Sequence, residues 1–204
     1  MGGFYLDILK DRLYTAGATS KPRRAAQSAL HHITQTLMKL LAPVLSFTSD
    51  EIWQTLNPGS EVTVFEQEWH ALPAHGLAEG RLQAWDAVVT MRSAAAKEIE
   101  VLRAAGQVGS SLQAELVFHA APAAYEALAS LGDDLRFVLI TSSARVEKVA
   151  TEAEQKITVT PSTHQKCERC WQYRADVGAN ADHPHICGRC VSNLYGDGEP
   201  RRFA

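Results

Sequence analysis

Apolar residues recur at helical spacing from the first positions of the chain. Tyr5, Ile8, Leu9 and Leu13 mark one face of an amphipathic helix running to about Ala16. Residues 17–21 break it, and Pro22 fits the first turn of a second helix, where a missing N–H is tolerated. Along that helix Ala26, Leu30, Ile33, Leu37, Leu40 and Val44 form a stripe suited to an antiparallel bundle, which Pro43 kinks or ends. Thr48-Ser49-Asp50-Glu51 reads as a capping box opening a short helix through Leu56, and Asn57-Pro58-Gly59 stops it. Residues 62–65 read as a short extended piece, with Trp69 as a plug for the bundle. From Glu79 to about Ala105 the pattern predicts a long helix buried along Leu82, Trp85, Val88, Met91, Ala95, Ile99 and Leu102.

After Gly106 the period changes. Leu112 to His119 reads as a strand, Ala121 to Leu131 as a helix and Leu135 to Thr141 as a second strand. Val146 to Val149 and Lys156 to Val159 read as further strands, with the polar residues 150–155 as a connector. The expected fold is therefore mainly α. A helical bundle over 1–105 is followed by a small α/β subdomain over 106–163 and a C-terminal module over 164–204.

That last module carries all four cysteines, as Cys167-Glu-Arg-Cys170 and Cys187-Gly-Arg-Cys190, with sixteen residues between the pairs. Two C-x2-C turns at this spacing supply four thiolates to one tetrahedral zinc and leave no open position, so the site holds structure and does no chemistry on a substrate. No basic-then-apolar leader precedes them, which disfavours disulfides and suits a reducing cytoplasm. A redox C-x-x-C needs one pair and a βαβ context. His164, His183 and His185 lie near the cysteines and read as neighbours of the site or surface residues, because four cysteines complete the shell.

Net charge is −3, which argues against a general nucleic-acid binder. The charge is unevenly distributed. Residues 1–45 carry six Lys/Arg against two Asp, residues 46–163 eight against sixteen acids, and residues 164–204 six against five. A polyanion should prefer the two ends. No apolar run reaches membrane-spanning length. Glycine-rich phosphate loops, G-x-S-x-G and H-E-x-x-H are all missing, Asp133-Asp134 falls in a turn, and the adjacent His31 and His32 diverge on their helix and cannot chelate alone. The chain shows no active site of its own.

Residues 4–15 (FYLDILKDRLYT) and 41–53 (LAPVLSFTSDEIW) resemble the anticodon-binding helical domain of class I aminoacyl-tRNA synthetases. Cys167-Glu-Arg-Cys170-Trp171, Ile186-Cys187-Gly-Arg-Cys190-Val-Ser-Asn193 and the tail from Gly196 resemble the zinc-bearing C-terminus of the bacterial isoleucyl-tRNA synthetases, and residues 109–114 (GSSLQA) their junction region. The resemblance implies a fragment of an ATP-dependent isoleucine–tRNA ligase that begins mid-protein. The catalytic domain with its ATP and Mg2+, and the editing domain, would lie elsewhere. It further implies one structural zinc, the anticodon arm of isoleucine tRNA as partner, no DNA, no membrane, a cytoplasmic setting and a monomeric parent. By the same resemblance Trp171 either meets an anticodon base or covers the zinc site. Arg169, Arg189, Lys21, Arg23, Arg24, Arg201 and Arg202 form the candidate RNA-facing set. The alternatives are the zinc module of formamidopyrimidine-type DNA glycosylases, whose catalysis needs a proline at the mature N-terminus, and a zinc ribbon used for protein contacts.

Overall fold

The computed structural model describes residues 2–74, 76 and 79–201. It divides into two units: Met1–Arg23 with Leu77–Ala204, and Arg24–Gly76. Among the described residues no helix is long and apolar enough to cross a membrane.

In the first unit a π-helical turn, Gly2–Leu6, leads into α1 (Asp7–Tyr14), so helix begins earlier than the periodicity of Tyr5 to Leu13 indicates. Phe4 explains the extension. Its ring packs edge-on against Trp85 and lies under Arg92, which donates through Nη2 to the Gly3 carbonyl and through Nε to that of Val138. Helix α2 (Lys21–Leu41) follows, and after it α3 (Ser46–Leu56) and the long α4 (Glu79–Ala104).

A three-stranded sheet carries the rest of the first unit's core. β1 (Ala114–Ala120) lies in the middle, parallel to β2 (Ser143–Lys148) and antiparallel to β3 (Lys156–Pro161). Every second residue of β1 is buried, namely Ala114, Leu116, Phe118 and Ala120. This alternation is what the two-residue period of a strand gives when one face meets a core. Val88, Ala95 and Ile99 of α4 and Leu128 of α5 (Pro122–Ala129) pack against that face. Leu82, at the start of the α4 stripe, is exposed instead. The connector 150–155 folds as a 3-10 turn with its own capping box, Thr151 and Glu154.

The segment 135–141 is not a strand. Leu135–Leu139 forms α6, all five of its residues are buried, and Ile140 ends it in the left-handed region at φ 58°. The N–H groups of Ile140 and Thr141 turn back to the carbonyls of Phe137 and Arg136. That is the paired closure of a Schellman end, here with isoleucine where glycine is usual. A short run buried on every side shows no period, so helix and strand look alike in sequence.

In the second unit a small core gathers Met38, Ala42, Trp53 and Val64. Trp53 donates Nε1–H to the Val62 carbonyl, and the Asp50 carboxylate accepts the Val64 N–H. Residues 62–65 are therefore held as a loop entering a 3-10 turn, Val64–Glu66, and not as a strand. The capping box lies at Thr63 and Glu66, not at Thr48, because α3 already begins at Ser46. The α2 stripe is only half right. Ala26 is buried, but Leu37, Leu40 and Val44 are exposed, and Gln35, Met38 and Ala42 are buried in their place. The face that Trp53 reaches is the one that becomes core. Trp69 is 68% exposed and plugs nothing.

The C-terminal module, within the first unit, is a two-stranded antiparallel ribbon, β4 (Gln165–Lys166) with β5 (Tyr173–Arg174), followed by α7 (Gly188–Tyr195). Asp176 accepts the Gly188 N–H at 3.0 Å and caps α7, and a Cβ at Gly188 would stand 2.9 Å from that carboxylate oxygen. A larger residue there would push the capping carboxylate back.

Candidate metal centre and the cleft beside it

The ribbon turn presents Cys167 and Cys170, and the start of α7 presents Cys187 and Cys190. All four are buried, and their sulfurs lie within 4.8 Å of one another. Cys167 Sγ is 3.7 Å from Cys190 Sγ, and Cys170 Sγ is 3.8 Å from Cys187 Sγ. A tetrahedron with zinc–sulfur bonds of about 2.3 Å has edges of roughly 3.8 Å, so the donor set fits zinc. The Cys187 N–H points at Cys167 Sγ at 3.3 Å, and such a donor stabilises a thiolate. Sulfur-to-sulfur hydrogen bonds lower the Cys167 thiol and raise those of Cys170 and Cys190, a division of protons that a dication removes by taking four thiolates. His164, His183 and His185 stay outside the cluster. His164 and His185 face Glu115 and Glu168, and His183 stacks on Tyr195 at 4.0 Å.

Of the basic residues singled out in the sequence, Arg189 and Arg201 point inward. Their side chains are 7% and 1% exposed. Arg189 forms a fork on Asp11, with Nη2 at 2.7 Å from Oδ1 and Nη1 at 3.0 Å from Oδ2, and also meets Glu199. Arg201 pairs with Asp11 and Glu199, and both guanidiniums lie over the Phe137 ring. Desolvation works against the Arg189 charge, yet Asp11 and Glu199 hold its pKa above the ordinary value. Burial likewise pushes the Asp11 carboxyl up, but the two arginines and Thr15 bring it below the usual carboxylate range. These two arginines join α1 to the cysteine module and are not available to an external polyanion. Arg169 is half-buried and caps the C-terminal end of α1, donating to the carbonyls of Thr15 at 2.6 Å and Tyr14 at 3.3 Å. Lys21 and Arg24 are exposed at the start of α2 and Arg23 is half-buried. Arg202 lies outside the described residues.

Beside the cysteines opens a cleft of about 510 Å³, lined by Ile8, Tyr14, Leu112, Ile140, Trp171 and Gln172, with the carboxylates of Asp7 and Asp11 as well as Lys10 and Arg169 in its wall. Trp171 is 59% exposed, and the Lys166 ammonium lies 5.4 Å from its ring centre. The backbone at Trp171 is left-handed, φ 62°, because its N–H closes the first C-x2-C turn on the Cys167 carbonyl at 2.9 Å. Glycine would adopt that conformation at no steric cost. Among the described residues only Ile140 and Trp171 have positive φ without being glycine, and both line this cleft. Gln172 is buried there, and its Oε1 accepts no hydrogen bond. Of the residues lining this cleft, the sequence singles out Trp171 and Arg169 and not Ile140, Gln172 or Tyr14. Only the cysteine spacing locates Gln172, as the residue that leaves the turn.

Residues 1–118 match the family described as the anticodon-binding domain of tRNA ligase, and residues 165–193 match the zinc finger found in FPG and IleRS. Over its whole length the chain is 56% identical to the isoleucine–tRNA ligase of Paraburkholderia xenovorans, 55% to that of Paraburkholderia phytofirmans and 53% to that of Burkholderia multivorans. It spans 22% of the length of each of these relatives.

Proposed function

The chain belongs to the family of anticodon-binding domains of tRNA ligases, and from that premise we propose that it is the tRNA-reading, C-terminal portion of an isoleucine–tRNA ligase. The parent joins isoleucine to its tRNA with ATP and Mg2+ in a catalytic domain outside this chain. It works as a monomer in the cytoplasm. The part described above binds the anticodon arm and takes no chemical role. Zinc serves as its structural staple.

One observation carries the reading. An exposed tryptophan occupies a turn position where glycine would relieve strain, with the Lys166 ammonium beside its ring, and it lines an apolar cleft together with Lys10 and Arg169. Backbone strain of this kind costs on the order of 1–3 kcal/mol and persists where surrounding structure holds it for a purpose. Anticodon bases are unstacked, and an indole face receives them whatever their identity, while Gln172, buried at the cleft wall with its Oε1 unpaired, must turn outward to accept from a base amino group. The lysines and Arg169 supply backbone attraction, as do Lys21, Arg23 and Arg24 at the start of α2. Arg189 and Arg201 act by holding the module against α1.

The test is binding of the zinc-loaded chain to the isoleucine anticodon stem-loop at fixed salt, beside a copy with altered anticodon bases. The native loop should bind more tightly. Trp171→Ala should weaken it by about 1–3 kcal/mol, roughly 5- to 150-fold, by loss of stacking. Equal binding of the two loops, with Trp171→Ala unchanged, would reject anticodon reading. Preferential binding of damaged duplex DNA would favour the DNA-glycosylase type of module. Absence of any RNA affinity would point to a ribbon for protein contacts. Trp171→Gly should relax the turn and stabilise the module by up to about 1 kcal/mol while losing RNA affinity, seen as a raised melting temperature with weaker binding.

A further inference from the structure

Neighbouring positions on a helix point about 100° apart, so His31 and His32 alone cannot grip one ion. The second unit changes this by bringing His70, from the segment after the 3-10 turn, against both. His32 Nδ1 lies 2.8 Å from His70 Nε2, with the rings 5.1 Å apart and tilted by 39°. The His31 ring is 5.8 Å from that of His32 and 6.4 Å from that of His70.

Three imidazoles together need a reason. His119, His164 and His185 each face a glutamate, at 3.3, 3.9 and 3.8 Å. No carboxylate pairs with His31, His32 or His70 among the described residues, and the charged neighbour is Lys39. Desolvation, then the positive potential of His32, Lys39 and His31, lowers the His70 pKa from the ordinary imidazole value. Imidazole nitrogens held this close, with a cation and no carboxylate beside them, suit a borderline divalent ion that takes the place of the shared proton.

The spacing agrees. Ligand nitrogens at about 2.0–2.1 Å from a tetrahedral ion stand roughly 3.3 Å apart, with ring centres about 5 Å apart. The His32 and His70 rings already stand at that separation, and their nitrogens need open by only about half an ångström. His31 is exposed, with its ring 6.4 Å from that of His70, and must change rotamer to join them.

We propose that His32 and His70, with His31 within reach as a third ligand, form a second metal site, which takes a divalent transition ion such as Ni2+, Cu2+ or Zn2+. Water fills the remaining positions. The ion clips the irregular segment before His70 to α2, and it is independent of the cysteine centre.

The test uses the full chain, free of any histidine tag and zinc-loaded at its cysteines, titrated with Ni2+ by calorimetry at about pH 7.5. One saturable equivalent is expected, with zinc content unchanged by elemental analysis. His32→Ala and His70→Ala should each weaken binding at least tenfold, as should His32→Gln, which keeps a polar side chain on α2. His185→Ala, on the zinc module, should bind as wild type. The affinity should fall at about pH 5.5, where protons compete. Lack of saturable Ni2+ binding up to about 1 mM, or wild-type affinity in His32→Ala and His70→Ala, would overturn the site.

Discussion

Zinc removal should unfold the C-terminal module from Gln165 to Tyr195 while the three-stranded sheet survives. The reason is the composition of the module's interior. Its buried cluster consists of the four cysteines, with only Val177 and Ile186 packed against them. That is too little apolar surface to offset the ordering of some thirty residues at about 1–2 kcal/mol each for the backbone alone. The ion closes the balance, since structural zinc contributes on the order of 10–16 kcal/mol at neutral pH. Cys187→Ser removes one of four ligands and leaves a polar group in a fully buried position, so it should act nearly as strongly as chelation. The sheet has its own core around Leu116, Phe118 and Leu128 and does not depend on the metal. The near-ultraviolet dichroism of Trp171 and the amide resonances of residues 165–195 should collapse on zinc loss, while those of β1 persist. A metal-free chain, verified by elemental analysis, that kept the Trp171 signal would refute the staple.

The cysteine site was legible because C-x2-C is a local pattern: each pair makes its own turn, and the sequence states both pairs. The same holds for α4 and β1, whose periods show plainly. The segment 135–141 was not, since burial on all sides erases the period that separates helix from strand. The roles of Arg189 and Arg201 were hidden for another reason. Their partner Asp11 lies 178 positions before Arg189, and charge in sequence reads as surface unless the partner is known. In the fold Asp11 shares a helix face with Ile8 and Thr15, both buried, and this turns its carboxylate toward the arginines. His70 is the same case, 38 positions from His32. The α2 stripe misled because periodicity finds the most apolar face, while packing buries the face that another element can reach.

Arg189→Ala should cost about 3–5 kcal/mol of stability, the usual result of breaking a buried ion pair from one side. The loss is larger than for a surface bridge, where the median is about 0–1 kcal/mol, because water cannot replace the missing fork. With Arg189 gone, Asp11 keeps Arg201, Thr15 and the more distant charge of Arg12, and Glu199 keeps Arg201 and the Asn193 amide. Two carboxylates then share one guanidinium beside the Phe137 ring, in a site largely shielded from water. Asp11→Asn should destabilise comparably from the other side, leaving two arginines against one glutamate. The double variant should cost less than the sum of the two, since the second change removes a charge that the first had orphaned. Arg189→Lys separates charge from geometry: it keeps the cation but loses the paired donors, so it should fall between wild type and alanine. Urea titrations of the zinc-loaded variants measure all four. The zinc content should be unchanged in each, because the cysteines keep their turns, so the loss belongs to the junction with α1 and not to the metal centre. An Arg189→Ala chain within about 1 kcal/mol of wild type would mean that α1 is held to the module by Arg169 and apolar contact alone. In that case the buried arginines could no longer be credited with setting Trp171 and its cleft in place beside α1.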